Sequence, residues 1–116
     1  MKPNPVKEKS FQFAVRIVNL GKYLQNEKEF VLSKQILRSG TSIGANIRES
    51  QNAQSPADFI HKLSISQKEA DETLYWLELL QETKYITEDE FLSLESDLLE
   101  IIKLLCSILK TSKSKR

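Results

Sequence analysis

Seven residues between Phe59 and Leu80 (Phe59, Leu63, Ser66, Ala70, Thr73, Leu77 and Leu80) recur at alternating steps of four and three, the spacing of one helix face. A helix with such a seam needs neighbours to cover it. Phe91, Leu94, Leu98, Ile101, Leu105 and Ile108 repeat the pattern, and no run of alternating β-branched residues competes with it. The chain is therefore read as all-α. Its 116 residues suit one domain with one core. The expected architecture is an up-down-up-down antiparallel four-helix bundle over 1–116, with helices at about 7–25, 29–53, 56–83 and 88–110 and a basic, disordered tail at 111–116.

The stretch RSGTSIGANIRES, residues 38–50, sits inside the second helix and is built like an interface. Leu32, Ile36, Ser39, Ile43, Asn46 and Ser50 form its seam. Gly40 and Gly44 each cost a helix interior roughly 1 kcal/mol relative to alanine, a cost that close approach of another helix offsets. A short turn through Gln54, Ser55 and Pro56 would bring helix three back along helix two, with Ser39 near Ala70 and Ser42 near Ser66. Small residues would then face small residues. Asn46, on the apolar seam, is expected to be buried, hydrogen-bonded and register-setting.

In the first helix Phe11, Ala14, Val15 and Val18, with Phe13, Ile17, Leu20 and Leu24 one stripe over, cover a wide apolar arc. Ser55-Pro56 is a start signal for helix three, and Thr87 with Glu90 for helix four. Helix four carries a second stripe, Leu92, Leu99, Ile102, Cys106 and Leu109, wider than a lone bundle requires. The surplus points to self-association, with Leu92, Leu99, Ile102 and Leu109 as the interface.

A net charge of +1 conceals segregation: residues 1–68 carry 11 Lys/Arg against 5 Asp/Glu, residues 69–100 carry 1 against 11, and residues 101–116 carry 5 against none. Such blocks either form opposed faces or pair neighbouring helices. Arg38 is expected to lie opposite Asp71, flanked by Glu69 and Glu72. A lone Cys106, no export-signal pattern and no membrane-length apolar run lead to a cytoplasmic expectation without a membrane association.

Catalytic patterns are missing from this sequence. Asp58 and His61 give one Asp-x-x-His, where a bundle di-metal site takes two Glu-x-x-His pairs. Cys106 sits on an apolar stripe and is read as a small hydrophobe. Both Gly40 and Gly44 lie within a helix, not in a phosphate-binding loop. The expectation is a non-enzyme without metal or cofactor.

RSGTSIGANIRES, followed by SPADF at 55–59 and KEADETLYWLELL at 68–80, resembles the four-helix-bundle family of proteins encoded in intervening sequences of 23S ribosomal RNA genes. That family is similar to the accessory variability determinant of diversity-generating retroelements. The resemblance implies a ring-like homo-oligomer, a pentamer, and structural motif positions at Ser39, Ser42, Gly44, Asn46, Glu49, Lys68, Glu69 and Glu72. For retroelement members it implies binding to nucleic acid and a reverse transcriptase through a basic surface. The sequence departs from the family pattern at Arg48 and Asp71, which exchange charge between helices two and three.

The function expected from these residues is weak, sequence-independent binding of RNA or DNA by an oligomeric bundle. Arg16, Lys22, Lys34, Arg38, Arg48 and Lys62 are the candidate contacts, with Lys110, Lys113, Lys115 and Arg116 adding charge. The alternative is a scaffold or accessory subunit that presents a symmetric ring to a protein partner such as a reverse transcriptase.

Overall fold

The computed structural model describes residues 3–115, so Met1, Lys2 and Arg116 lie outside the described residues. Four helices make up a four-helix bundle: α1 (Pro5–Asn26), α2 (Phe30–Ser50), α3 (Pro56–Glu82) and α4 (Glu88–Ser114). Each packs on the next in the chain, and α4 closes against α1. The bundle measures 47 × 26 × 22 Å.

Side-chain caps decide where the helices start. Asn4 accepts from the Lys7 backbone N–H, and Pro5 occupies the first turn, so α1 begins at Pro5, ahead of the expected start at about 7. Glu29 accepts from Val31 and Leu32 at the head of α2. Ser55 caps α3 through the Asp58 N–H, and Thr87 with Glu90 closes a capping box on α4. Helix α2 stops at Ser50, short of the expected 53. The tail is corrected in the other direction: α4 continues through 111–114, with Ser114 donating to the Thr111 carbonyl at 2.8 Å. No Gly or Pro interrupts it, and Lys113 in the last turn opposes the negative end of the helix dipole.

Helices α1 and α3 end alike. Lys28 (φ 61°) and Lys84 (φ 68°) take the left-handed conformation just past each helix. Glu29 then donates to Leu24 O at 2.8 Å and Lys28 to Gln25 O at 2.9 Å; Tyr85 donates to Leu80 O at 2.9 Å and Lys84 to Gln81 O at 3.0 Å. These are paired Schellman endings with lysine where glycine is usual.

Phe13, Ile17 and Leu24 meet Ile36, Ile43, Ile47, Leu63, Leu77, Leu98, Ile101 and Leu105 in the centre, all fully buried. Each such side chain contributes roughly 1.5–3 kcal/mol of burial. The expected seams drift by one residue at their ends. Ile60 takes the inward place of Phe59, and Leu109 that of Ile108. A strict four-three alternation slips about 20° per heptad on a straight helix, which accounts for both changes.

Two larger corrections concern α1 and α2. The inward face of α1 is Val6, Ser10, Phe13, Ile17, Gly21 and Leu24, whereas Phe11, Val15 and Val18 are exposed. The glycines of α2 serve α1, not α3: a Cβ on Gly40 would come within 2.7 Å of Ile17, and one on Gly44 within 3.3 Å of Ser10. Gly21 reciprocates beneath Leu37, where a Cβ would meet Cγ at 2.7 Å. Close approach is therefore made between α1 and α2 through glycines, and between α2 and α3 through hydroxyl residues.

Candidate functional site

The hydroxyl seam between α2 and α3 is fully buried at Ser39, Ser66 and Thr73. Ser66 donates to the Ile43 carbonyl at 2.8 Å, reaching across to a backbone acceptor on the other helix. Thr73 donates to Glu69 O at 2.7 Å, and its oxygen lies 3.0 Å from Ser39 Oγ. No described side-chain polar atom that is buried lacks a partner. This seam is structural, satisfied within itself.

Arg38 stands over the seam and donates to Glu69 at 3.0 Å and to Glu72, while Trp76 Nε1 also donates to Glu72, at 3.0 Å. The Trp76 bond, opposed by partial burial and helped by Arg38, holds the Glu72 carboxyl below its usual range. Arg38 in turn is held above its ordinary value, chiefly by Glu72. The expected pairing of Arg38 across helices two and three is made by the flanking Glu69 and Glu72, whereas Asp71, expected opposite it, is exposed, because positions 69 and 72 share the α2-facing side of α3.

Three of the six candidate phosphate contacts face carboxylates. Arg38 is one. Arg16 donates to Asp97 at 2.6 Å and to Ser93 Oγ at 2.9 Å, tying α1 to α4. Lys62 pairs with Glu49 at 3.0 Å across the α2–α3 turn, and that carboxylate raises its pKa. Lys22, Lys34 and Arg48 are exposed, with no ion pair among the described residues. They do not form one cluster: Lys22 and Lys34 lie toward one end of the bundle and Arg48 toward the other.

The other motif positions serve α2 itself. Ser42 donates to Arg38 O at 2.6 Å and Asn46 to Ser42 O at 2.9 Å, one helical turn back. Asn46 is half-buried and bonded within its own helix, so it sets no register between helices; Ile47 takes the inward place expected for it. Glu49 holds Lys62, and Lys68 is exposed. Cys106, expected to behave as an apolar filler, is exposed beside Gln67, whose amide reaches its sulfur at 3.0 Å.

Of the four interface candidates on α4, Leu92 and Leu99 are exposed and Ile102 is half-buried. Leu109 is corrected: it lies in the bundle core at 4% exposure. A larger exposed apolar surface lies on the opposite side. Phe11 (54% exposed) borders a groove of about 390 Å³ between α1 and α2, lined also by Ala14, Gly44 and Ala45, and Val15 and Val18 are exposed on the same helix. Phe30 and Val31 extend the exposed apolar surface at the head of α2. The sequence carried this signal in the width of the α1 arc, wider than one core-facing stripe.

Small residues at the α1–α2 contact, a hydroxyl seam between α2 and α3, and the Arg38–Glu69–Glu72–Trp76 cluster all fall on the motif segments of α2 and α3. The sequence model of the 23S rRNA-intervening sequence protein family matches residues 2–107. The chain belongs to this family. Four solved chains match it, among them a protein of unknown function from the S23 ribosomal protein family of Bacteroides thetaiotaomicron. That structure superimposes with a TM-score of 0.89 at 67% identity, over 90% of this chain and 98% of its own. No curated protein matches the sequence. Among the described residues no helix is long and apolar enough to cross a membrane, and no three His, Cys, Asp or Glu side chains gather as metal ligands.

Proposed function

We propose that the protein is a non-enzymatic homo-oligomer, an up-down-up-down bundle assembled into a ring, which binds RNA or DNA weakly and without sequence preference. One observation carries the assembly. The α1/α2 side exposes Phe11, Val15 and Val18 beside Lys22, Lys34 and Arg48, while α3 and α4 expose Tyr75, Leu92 and Leu99 beside Asp71 and Glu78. The two surfaces are complementary in charge and both apolar, so one copy's α1/α2 side fits the next copy's α3/α4 side. Such a head-to-tail contact closes into a ring or extends as a filament. Five subunits is the number that the family resemblance implies, and a cytoplasmic setting belongs to the same reading.

Light scattering on a size-exclusion column, with and without a short RNA at low salt, tests both halves. A closed particle of several subunits that shifts with RNA supports them; a monomer removes the assembly. Phe11→Asp with Val15→Asp, and separately Leu92→Asp with Leu99→Asp, are each expected to dissociate the particle without unfolding the exposed helix faces.

A second reading keeps the ring and assigns it a protein partner. Glu78, Glu82, Glu88 and Asp89 crowd the α3–α4 turn, a surface that favours a basic protein over a polyanion. A stoichiometric protein that stays bound after nuclease treatment supports this reading.

A further inference from the structure

Charge is segregated along the bundle as well as along the chain. Asn4 of α1 donates to Gln51 just past α2 at 3.2 Å, Lys62 of α3 reaches Glu49 of α2, and Gln67 of α3 meets Cys106 of α4. These contacts gather the start of α1, the end of α2, the start of α3 and the end of α4 at one end. With each helix divided at its middle, that half (residues 3–15, 41–70 and 101–115) holds nine Lys/Arg against four Asp/Glu. The other half (16–40 and 71–100) holds six against twelve. Two helix starts and two helix ends meet at each end, so the backbone dipoles oppose one another and the side chains set the sign.

We infer that the basic end of the bundle, not its side, is the surface that receives a nucleic-acid backbone, with Lys110 and Lys113 at the end of α4 and Lys115 just past it at its centre. This inference rests on the nucleic-acid reading above. Lys103, Lys110, Lys113 and Lys115 are exposed and make no ion pair among the described residues, unlike Arg16, Arg38 and Lys62. Lys110 and Lys113 are neighbours one helical turn apart, presenting two cations on one face. The exposed neutral groups at the same end of the bundle, Gln51, Asn52, Gln54, Ser55, Thr111 and Ser114, donate and accept hydrogen bonds. The exposed large apolar side chains of this half, Phe11 and Val15, lie on the α1/α2 side, and among the described residues the first turn of α1, the α2–α3 turn and the end of α4 expose none of the kind an interfacial helix buries in a bilayer, which favours a nucleic acid over a lipid surface. At the opposite end Glu82, Glu88, Asp89 and Glu90 repel a phosphate backbone, so a strand engages the particle from one end only.

The test is fluorescence anisotropy of a labelled oligouridylate about 20 nucleotides long, on the full chain, between about 50 and 200 mM salt. Lys110→Gln/Lys113→Gln/Lys115→Gln is expected to weaken binding by about tenfold or more at low salt and to lower the salt slope by about 0.7 per lysine removed. Lys28→Gln/Lys84→Gln removes two charges from the acidic half at positions outside the assembly face and is expected to stay within about twofold of the parent. All five positions are exposed, and unchanged thermal melting verifies the fold. Equal losses per lysine removed from the two variants overturn the placement at the basic end while the nucleic-acid reading stands. No binding by the parent overturns both. Binding of phosphatidylserine vesicles, lost in the α4 variant, with no binding of oligouridylate, assigns the basic end to a membrane and overturns the inference.

Discussion

Ile17 of α1 occupies the space that a side chain at Gly40 of α2 would need: a Cβ there would lie 2.7 Å from Ile17 Cγ2 and 2.9 Å from Cγ1. Both residues are buried, and a β-branched side chain has little rotamer freedom with which to give way. Gly40→Ala gains up to about 1 kcal/mol of helix propensity and loses about 1–3 kcal/mol to overpacking. A net loss of stability is expected by urea denaturation, partly recovered when Ile17→Val is added. Gly44→Ala, whose Cβ would stand 3.3 Å from Ser10, is expected to cost less than Gly40→Ala. Equal effects at the two positions would show that α1 moves as a unit, not that Ile17 fits Gly40.

Ser66 gives a second test of close helix contact. Its hydroxyl donates to Ile43 O across the α2–α3 seam, and the side chain is fully buried. Ser66→Ala removes one interhelical bond, a loss of about 1 kcal/mol. Ser66→Leu adds volume where the two helices meet and is expected to cost about 1–3 kcal/mol more, with a matching fall in the denaturation midpoint. If leucine were as well tolerated as alanine, the seam would have room that its complete burial denies.

Lys28 and Lys84 are opportunities for stabilisation. Each holds a left-handed backbone conformation that costs a non-glycine residue about 1–2 kcal/mol, and each lies exposed beyond a helix end. Lys28→Gly and Lys84→Gly are expected to raise stability by about 0.5–1 kcal/mol apiece, glycine's greater freedom in the unfolded chain offsetting part of the relief. The two sites end different helices, so their effects are expected to add within about 0.5 kcal/mol. Calorimetry on the single and double variants measures this.

The all-helical character was legible because α2, α3 and α4 each bury residues at steps of three and four, and because Ser55-Pro56 and Thr87 with Glu90 are start signals with a mechanism. Partner choice was harder to see. Gly40 and Gly44 mark a thin face, but Ile17 and Ser10 opposite them lie about two dozen or more residues upstream, and neither is unusual in its local pattern. The stripe Phe11, Val15 and Val18 looked like core because hydrophobicity reports what avoids water, whether a second helix of the same chain or another molecule covers it. The candidate cations failed to cluster for a different reason. Arg38 met Glu69 and Glu72, which the expected antiparallel register already set beside it, whereas the pairings of Arg16 with Asp97 and of Lys62 with Glu49 were invisible until those carboxylates were placed in space.

Glu72 links that electrostatic pattern to a measurable pH dependence. Its carboxyl is held below the ordinary glutamate range first by the Trp76 indole N–H and then by Arg38, while partial burial works the other way. A folded pKa below the unfolded one means that the ionised carboxylate contributes stability above the unfolded glutamate's pKa. That contribution is lost as pH falls through the depressed folded value. Trp76 is the chain's single tryptophan, so its emission reports the event. In an acid titration the emission change tied to Glu72 is expected below the ordinary glutamate range. Arg38→Met, which keeps much of the stem's packing and removes the cation, is expected to move that midpoint upward. Because Arg38 is half-exposed and screened by water, the same variant is expected to lose about 0.5–1 kcal/mol at neutral pH, and less once Glu72 is protonated. An unmoved midpoint in Arg38→Met would assign the depression of Glu72 to Trp76 alone.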